Sequence, residues 1–315
     1  MKKKFSVLLL ALTVLLSGCG KYVDTTENSE KLQVVTSFYP VYLLAQAVTE
    51  GAAEMELMNM AQPQTGCLHD YELTISDMKL LEGADVLIIN GGGMEGFLEQ
   101  AVERYPDLVI VDTSAGIELL EEEEHHHHKE ATEGEHAGHG HDHEGNPHIW
   151  LSPERAAQQA ETIAAALGEL DKVDAACFAV NAAAFREGTE ELLEKARAIG
   201  ISEGEYSAVF HEGFAYFAEL FHLENVCGIF ADEYQMPSAR ELTEAADEAK
   251  KHGIRFFLTA ADNGRIYAET LAAEVNENII LLDPLTTADE AGLSYLERMD
   301  QNIDVVAKDW KEGTE

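Results

Sequence analysis

The chain has few basic residues for its size. Its 315 residues include only 21 lysines and arginines against 59 aspartates and glutamates, which gives a formal net charge of −38. A protein that binds nucleic acid neutralises phosphates with clustered Lys and Arg, and a polybasic contact with anionic lipid uses the same side chains. This deficit of positive charge therefore excludes nucleic acid as a partner and argues against a polybasic membrane contact.

Cysteine is also scarce. The four cysteines are Cys19, Cys67, Cys177 and Cys227, and their spacing matches no zinc-finger pattern. Disulfide frameworks are typical of small secreted domains, whereas a chain of this length can bury a sufficient apolar core without one. We therefore expect no disulfide framework, and Cys19 has a separate explanation below.

The common hydrolase and nucleotide-binding motifs are incomplete. His211 begins an HExxH-like stretch, but its fifth position is Ala215, so the zinc-protease motif fails. Gly200–Gly204 matches GxSxG, yet a helix is predicted before it and a strand after it, the reverse of a nucleophile elbow. Gly91–Gly93 lacks the Lys-Ser/Thr of a P-loop. We therefore expect a protein that is not an enzyme.

Long hydrophobic runs are missing outside the N-terminus. There, Lys2–Lys4 precede the mostly apolar run Phe5–Leu16. Crossing a bilayer takes about 20 apolar residues, so this run is too short to be a stable transmembrane helix. A positive start followed by a short apolar run is typical of a secretory signal peptide.

The end of this segment, Leu16–Cys19, resembles a bacterial lipoprotein cleavage box. The resemblance implies cleavage before Cys19, with a lipid on its sulfur. We therefore predict a signal peptide over residues 1–18 and a polar, lipid-anchored tether over 19–31. The protein would then be extracytoplasmic and anchored to the bacterial cell membrane without crossing it.

Apolar runs alternate with helical patterns along the rest of the chain. Asp85–Asn90, for example, is continuously apolar at its centre, as in a buried parallel strand. The alternation predicts an α/β fold with mostly parallel sheets flanked by helices. The predicted strands are 32–38, 54–60, 85–90, 108–112, 206–210, 226–230, 255–259 and 279–282. The predicted helices are 40–50, 74–82, 95–104, 153–170, 172–198, 214–221, 238–251, 265–274 and 289–310.

The alternation is interrupted once, by consecutive helices in the middle of the chain. The second of them, 172–198, would be about 40 Å long. We therefore predict two lobes, an N-terminal α/β lobe over 32–170 and a C-terminal α/β lobe over 200–315, joined by a long rigid helix over 171–199.

A histidine-rich segment lies within the predicted N-terminal lobe, at residues 121–145. Its histidines are surrounded by Glu, Gly, Ala and Asp with no apolar periodicity, so we predict a solvated loop. Imidazoles and carboxylates in such a loop can collect divalent metal weakly. The auxiliary low-affinity ligands would be His125, His126, His127, His128, His136, His139, His141 and His143.

Four further metal-capable residues follow predicted strands. Ligands of open parallel sheets bind beyond the carboxyl ends of the strands, so a cleft between two lobes could bring these residues together. Three imidazoles and one carboxylate form a shell that suits zinc. The predicted ligands are His69, His148, His211 and Asp283. Each alone could be an ordinary surface or core residue, as we expect for His222 and His252.

Several motifs resemble the metal-binding lipoproteins of ABC importers for zinc and manganese, the cluster A-I solute-binding proteins. The resemblance implies two α/β lobes joined by a long helix, with the metal between them. It gives His69, His148, His211 and Asp283 the role of direct ligands. The matching stretches are 36–42 (TSFYPVY), 69–72 (HDYE), 90–95 (NGGGME), 148–153 (HIWLSP), 210–211 (FH), 237–240 (PSAR) and 282–285 (LDPL).

The same resemblance implies a monomer that delivers Zn²⁺ to an ABC permease with a cytoplasmic ATPase. Manganese members have Glu where His211 stands, so a nitrogen ligand here favours zinc. The family prolines around the first histidine are replaced by Leu68 and Leu73, and nearby Cys67 could join or replace His69. The alternatives are a manganese-binding importer component and a zinc-storage or adhesin lipoprotein of the cell surface.

Overall fold

The computed structural model describes residues 31–61, 71–121, 145–228, 237–261 and 264–312. Several predictions concern residues outside these ranges: the signal peptide with Cys19, the histidine His69 with its neighbour Cys67, and the eight histidines of the histidine-rich loop. The described residues include the remaining predicted ligands His148, His211 and Asp283.

The first half of the chain forms a four-stranded, fully parallel sheet in the order β2-β1-β3-β4. Most side chains of the central strands β1 and β3 are apolar, and Val34, Val35 and the residues from Val86 to Ile88 are fully buried, as is typical of a parallel sheet covered on both faces. The elements are β1 (Leu32–Thr36), α1 (Tyr39–Thr49), β2 (Met55–Asn59), α2 (Ile75–Glu82), β3 (Val86–Ile89), a 3₁₀ turn (Gly96–Leu98), α3 (Glu99–Val102) and β4 (Val109–Asp112).

The second half repeats this topology with the strand order β6-β5-β7-β8, again fully parallel. In both sheets the chain enters at a central strand, pairs it with the next strand on one side, and then crosses to the other side. The elements are β5 (Tyr206–Val209), α6 (Phe214–Leu220), β6 (Glu224–Gly228), α7 (Ala239–His252), β7 (Phe256–Thr259), α8 (Arg265–Val275), β8 (Ile279–Leu281) and α9 (Tyr295–Glu312). The structure thus has two parallel-sheet α/β lobes flanked by helices.

Two long helices connect the lobes, α4 (Pro153–Leu170) and α5 (Ala175–Ile199). Ser152 caps α4 by accepting a hydrogen bond from the N–H of Arg155. The predicted linking helix starts three residues late in the structure, because the Asp171 carboxylate accepts hydrogen bonds from the main chain that follows it and holds a turn there. Gly200, in the left-handed conformation (φ 75°), ends α5.

The C-terminal helix α9 packs against α5. Lys195 of α5 forms ion pairs with Asp300 (2.5 Å) and Asp304 (2.7 Å) of α9. The rings of Phe185 and Tyr295 meet with centroids 5.3 Å apart, and both side chains are buried. The last helix of the chain therefore fastens the second lobe along the connecting helix.

This C-terminal helix is shorter than the sequence pattern predicts. The prediction begins it at Asp289, but α9 begins at Tyr295. Asp289 instead accepts hydrogen bonds from the N–H groups of Ala291 and Leu293, and Gly292 has a positive φ of 68°. Such a side-chain-stabilised turn competes with a helix, so helical structure starts only after Ser294.

The helix predicted over 95–104 is shorter in the structure, because the buried carboxylate of Glu95 is hydrogen-bonded to the ends of two strands. Glu95 accepts hydrogen bonds from the Ser37 hydroxyl (2.7 Å) and from the N–H groups of Asn90 (2.7 Å) and Gly91 (3.0 Å). It thereby links the ends of β1 and β3, and the helix shrinks to the 3₁₀ turn and α3. These donors favour the charged carboxylate, but burial outweighs them and raises the pKa of Glu95 to about 7.

Within the described ranges, the structure has no helix that combines the length and apolar character needed to cross a membrane.

The raised pKa of Glu95 predicts that the protein loses stability as pH rises from about 4.5 to about 7. In this window the folded state binds a proton at Glu95 that the unfolded state has released, so the free energy of unfolding falls with rising pH. The expected loss is about 3 kcal/mol. Urea unfolding of the metal-free protein across this range, compared with Glu95→Gln, measures it. A constant difference between the two proteins at all pH values would show that the carboxylate titrates normally.

Candidate metal centre

A short segment after β4, residues 146–150, connects the two lobes next to the candidate site. Trp150 is 1% exposed, and its indole N–H donates to the carbonyl of Pro284 in the second lobe (2.9 Å). In return, the Tyr295 hydroxyl donates to the carbonyl of Trp150 (2.7 Å). These bonds fix the main chain that carries His148.

His148 is buried, with 1% of its surface exposed, and lies in this segment. Its Nδ1 is 2.9 Å from the side-chain oxygen of Asn146, which also accepts from the main-chain N–H of His148 (3.1 Å). A hydrogen bond from Nδ1 to this oxygen puts the ring proton on Nδ1 and the lone pair on Nε2. Nε2 of His148 is therefore the ring nitrogen that could bind a metal.

His211 follows the end of β5, separated from it by Phe210, and comes from the other lobe. Its ring packs edge-on against the ring of His148, with centroids 5.0 Å apart. The approach is close because Gly213 has no side chain: a Cβ there would lie 2.5 Å from Leu151 and 3.0 Å from His148. The structure thus brings together one predicted ligand from each lobe.

The Nδ1 atom of His211 accepts a hydrogen bond from the N–H of Gly213 (3.1 Å). Because a main-chain N–H can only donate, this nitrogen carries the lone pair and Nε2 carries the proton of the neutral ring. A metal would therefore bind His211 only after the ring leaves this bond or its proton moves. Metal loading at His211 involves a local rearrangement.

Asp283 follows β8, as predicted, and is held by Arg298 of α9. The guanidinium donates Nε to Oδ2 (2.6 Å) and Nη2 to Oδ1 (2.7 Å), a two-pronged pair. Arg298 is 3% exposed and also donates to the carbonyl of Thr287. Asn302 exchanges two hydrogen bonds with the main chain of Asp283. Helix α9 therefore sets both the backbone and the carboxylate of Asp283.

The described residues contain no cluster of three or more His, Cys, Asp or Glu side chains arranged to hold a metal ion. His148 and His211 form a pair, Asp283 is bound to Arg298, and His69 lies outside these residues. Glu212, the second residue of the incomplete HExxH stretch, lies with its carboxylate 4.0 Å from Nδ1 of His148. The complete four-residue site stays a prediction.

Two residues that shape this region were missed from the sequence. Asn146 lies two residues before His148, and this proximity was a usable signal. Arg298 lies on a polar helix with charges on most turns, and its pattern contains no sign that this residue is buried beside Asp283. His222 is exposed, as expected, whereas His252 is partly buried and pairs with Glu248 (3.2 Å).

Comparison with known proteins establishes the family. Residues 34–309 match the family model described as zinc-uptake complex component A, periplasmic, which is most of the chain. The chain belongs to this family. The matched residues include both lobes and the candidate ligands His148, His211 and Asp283.

Named relatives of the chain are themselves zinc proteins. The zinc-binding lipoprotein AdcA of Streptococcus pneumoniae is 29% identical over 308 residues, a match that covers 96% of this chain but 60% of AdcA. The chain thus spans well under two thirds of the length of that relative. The high-affinity zinc uptake system protein ZnuA of Bacillus subtilis is 29% identical over 323 residues, which cover 97% of this chain and 98% of ZnuA.

The fold of the family is also that of solved structures. A crystal structure of ZnuA superposes with a TM-score of 0.71 at 25% identity and covers 89% of this chain and 99% of the ZnuA chain. This agreement supports the two-lobed α/β architecture, including the connecting helices between the lobes.

The pairing of Asp283 with Arg298 predicts that Asp283→Ala destabilises the metal-free protein by about 2–3 kcal/mol. The substitution leaves the buried guanidinium without its carboxylate. The double variant Asp283→Ala/Arg298→Met removes both charges and is expected to recover at least half of the loss. Urea unfolding in a chelator measures the native protein, Asp283→Ala, Arg298→Met and the double variant. If the double variant loses the sum of both single effects, the two residues are not energetically coupled.

Proposed function

We propose that this protein is the extracytoplasmic metal-binding component of an ABC importer, which captures Zn²⁺ between its two lobes and delivers it to a membrane permease. The observation that carries the proposal is the pair His148 and His211, one from each lobe, with ring centroids 5.0 Å apart. The family match and the zinc-binding relatives support zinc as the cargo.

The proposed ligands are His69, His148, His211 and Asp283. Three neutral imidazoles and one carboxylate form a four-coordinate set that suits zinc, whereas manganese prefers a shell richer in oxygen. Four protein ligands also close the coordination sphere, which fits capture of an ion and leaves no open position for a catalytic water. We therefore assign the protein a transport role without chemistry on the ion.

Loading would proceed by exchange of partners within the site. His211 leaves its hydrogen bond with Gly213, and Asp283 shares its oxygens between Arg298 and the ion. Ligands that carry protons release them as the metal binds. Ion pairs of Lys195 hold α9 of the second lobe against the connecting helix α5. Loading is therefore expected to move side chains and loops more than whole lobes.

The histidine-rich loop, residues 121–145, is proposed to raise the local zinc concentration near the site. Its imidazoles and carboxylates would bind weakly and exchange quickly. The same composition favours a second candidate function, storage of zinc at the cell surface, in which the loop itself is the main binding element.

We further propose that the chain is anchored through a lipid on Cys19, acts as a monomer, and docks on a permease whose cytoplasmic ATPase drives uptake. The net charge of −38 suits contact with basic permease loops. A pull-down of the permease is expected to succeed with zinc-loaded protein at low salt and to weaken as salt rises. Failure of the pull-down under all metal conditions would contradict the docking proposal.

The main test is a zinc competition titration on the chain from Lys21, with and without the loop. The ends of the loop are held together, since Leu120 and Asn146 form an antiparallel bridge, so residues 122–144 can be replaced by two glycines. One tight site is expected to survive this replacement. His211→Ala is expected to weaken it more than 100-fold, beyond the 10–100-fold range of indirect effects.

His222→Ala is the matched control, because His222 is an exposed histidine of the same lobe and should leave zinc affinity unchanged. Loss of all tight binding with the loop, and none with His211→Ala, would instead establish storage by the loop and refute the site between the lobes.

A further inference from the structure

We propose that Asn146 is a positioning residue that sets the zinc affinity of the site by holding His148 and His211 in register across the lobe boundary. This inference rests on the proposed function. Asn146 is 5% exposed, and its side chain contacts the His148 residue on one side and the main chain next to His211 on the other. Asn146 is uncharged and takes part in neither the His148–Glu212 pair nor the Asp283–Arg298 pair.

The orientation of the Asn146 amide follows from two main-chain groups whose roles cannot change. Its Oδ1 lies 3.1 Å from the N–H of His148, which can only donate. Its Nδ2 lies 2.9 Å from the carbonyl of Glu212, which can only accept. The oxygen therefore faces His148 and the nitrogen faces the second lobe, and exchanging them would break both bonds.

This orientation decides the chemistry of His148. Because the atom facing Nδ1 of His148 is an oxygen, the ring must donate from Nδ1, and Nε2 keeps its lone pair. Metal-binding histidines commonly have their second nitrogen fixed in this way, which orients the ring and selects the tautomer. Asn146 thus prepares His148 for metal before any ion arrives.

The other end of the amide acts on His211. Glu212, whose carbonyl accepts from Nδ2, is the next residue after His211, so the bond fixes the main chain beside that ring. The Tyr216 hydroxyl of the second lobe donates to the Asn146 carbonyl (2.6 Å) and accepts from the N–H of Leu120 (3.0 Å). Asn146 is therefore bonded to both lobes through its main chain and its side chain.

An aspartate at this position would separate the two roles. It keeps an oxygen for Nδ1 of His148, and a carboxylate partner makes a metal-bound imidazole more basic. It loses the donor to Glu212 and turns a negative oxygen toward that carbonyl. If only the contact with His148 matters, Asn146→Asp should bind zinc as tightly as the native protein or more tightly. If the bond across the lobes matters, it should bind more weakly.

We expect Asn146→Asp to lower zinc affinity at least tenfold, with faster zinc release, measured by competition titration and stopped-flow chelation on the chain lacking residues 122–144. The matched control is Asn181→Asp. Asn181 also donates Nδ2 to main-chain carbonyls, those of Val48 (2.9 Å) and Glu50 (2.8 Å), but at the end of α1. This control should leave zinc affinity unchanged.

A double-mutant cycle separates positioning from general stability. In the His148→Ala background, Asn146→Asp is expected to lower the remaining zinc affinity less than threefold, because the histidine that it positions is gone. An effect as large as in the native background would overturn the proposal. Native or higher affinity of Asn146→Asp alone would overturn it as well.

Tyr216→Phe provides the test should Asn146→Asp fail to fold. It removes the hydroxyl that donates to the Asn146 carbonyl and accepts from the N–H of Leu120. We expect at least a threefold loss of zinc affinity, and no change would count against the inference. If His148→Ala itself leaves tight binding intact, the proposed site is wrong. If His148→Ala abolishes tight binding and the Asn146 and Tyr216 variants do not alter it, the site stands and this inference alone fails.

Discussion

The arrangement of this molecule depends on hydrogen bonds that cross between the lobes from one short segment, residues 146–150. Asn146 bonds to Glu212 and Tyr216, and Trp150 bonds to Pro284 and Tyr295. All four bonds have a main-chain group on one side, so they fix the path of the chain as well as side-chain positions. Separating the lobes here would break all four bonds at once, and any of these groups that stayed buried would be left unpaired, which is costly. The lobe boundary is therefore a defined surface whose two sides stay in register.

The same constraint explains why the candidate ligands already have partners. His211 accepts from Gly213, His148 bonds to Asn146, and Asp283 pairs with Arg298. A cavity lined by unpaired imidazoles and a carboxylate would be unfavourable in the metal-free protein. An ion that enters must compete with these partners, so weakly bound cations gain less than zinc, which binds nitrogen ligands strongly. In the proposed function, partial occupation by protein groups would thus contribute to selectivity and keep release possible.

Most of the fold could be predicted from the sequence because its signals are local. Continuous apolar runs such as Val86–Ile89 predict buried parallel strands, and cap residues such as Ser152 mark the helix starts. Two predicted helices begin too early because a carboxylate, that of Glu95 or Asp289, accepts hydrogen bonds from main-chain N–H groups and holds a turn where the helix was expected. The ligands at the strand ends could be proposed, since topology brings strand ends together. The role of Arg298 could not, because it depends on a partner 15 residues away on another element. For Asn146 the proximity to His148 was a signal, but its bond to Glu212, 66 residues away, was not predictable from the sequence.

The connecting helices explain why the two lobes are expected to move little relative to each other. Helix α5 is continuous over 25 residues, and α9 is fastened to it by Lys195 and by the contact of Phe185 with Tyr295. Tyr295 also bonds to Trp150, so the helix that closes the fold reaches the segment that carries His148. Arg298, on the next turn of α9, holds Asp283. One helix therefore contacts the supports of ligands from both lobes. In the proposed function, an ion bound between the candidate ligands would therefore shift packed side chains along α9 without a wide opening of the lobes.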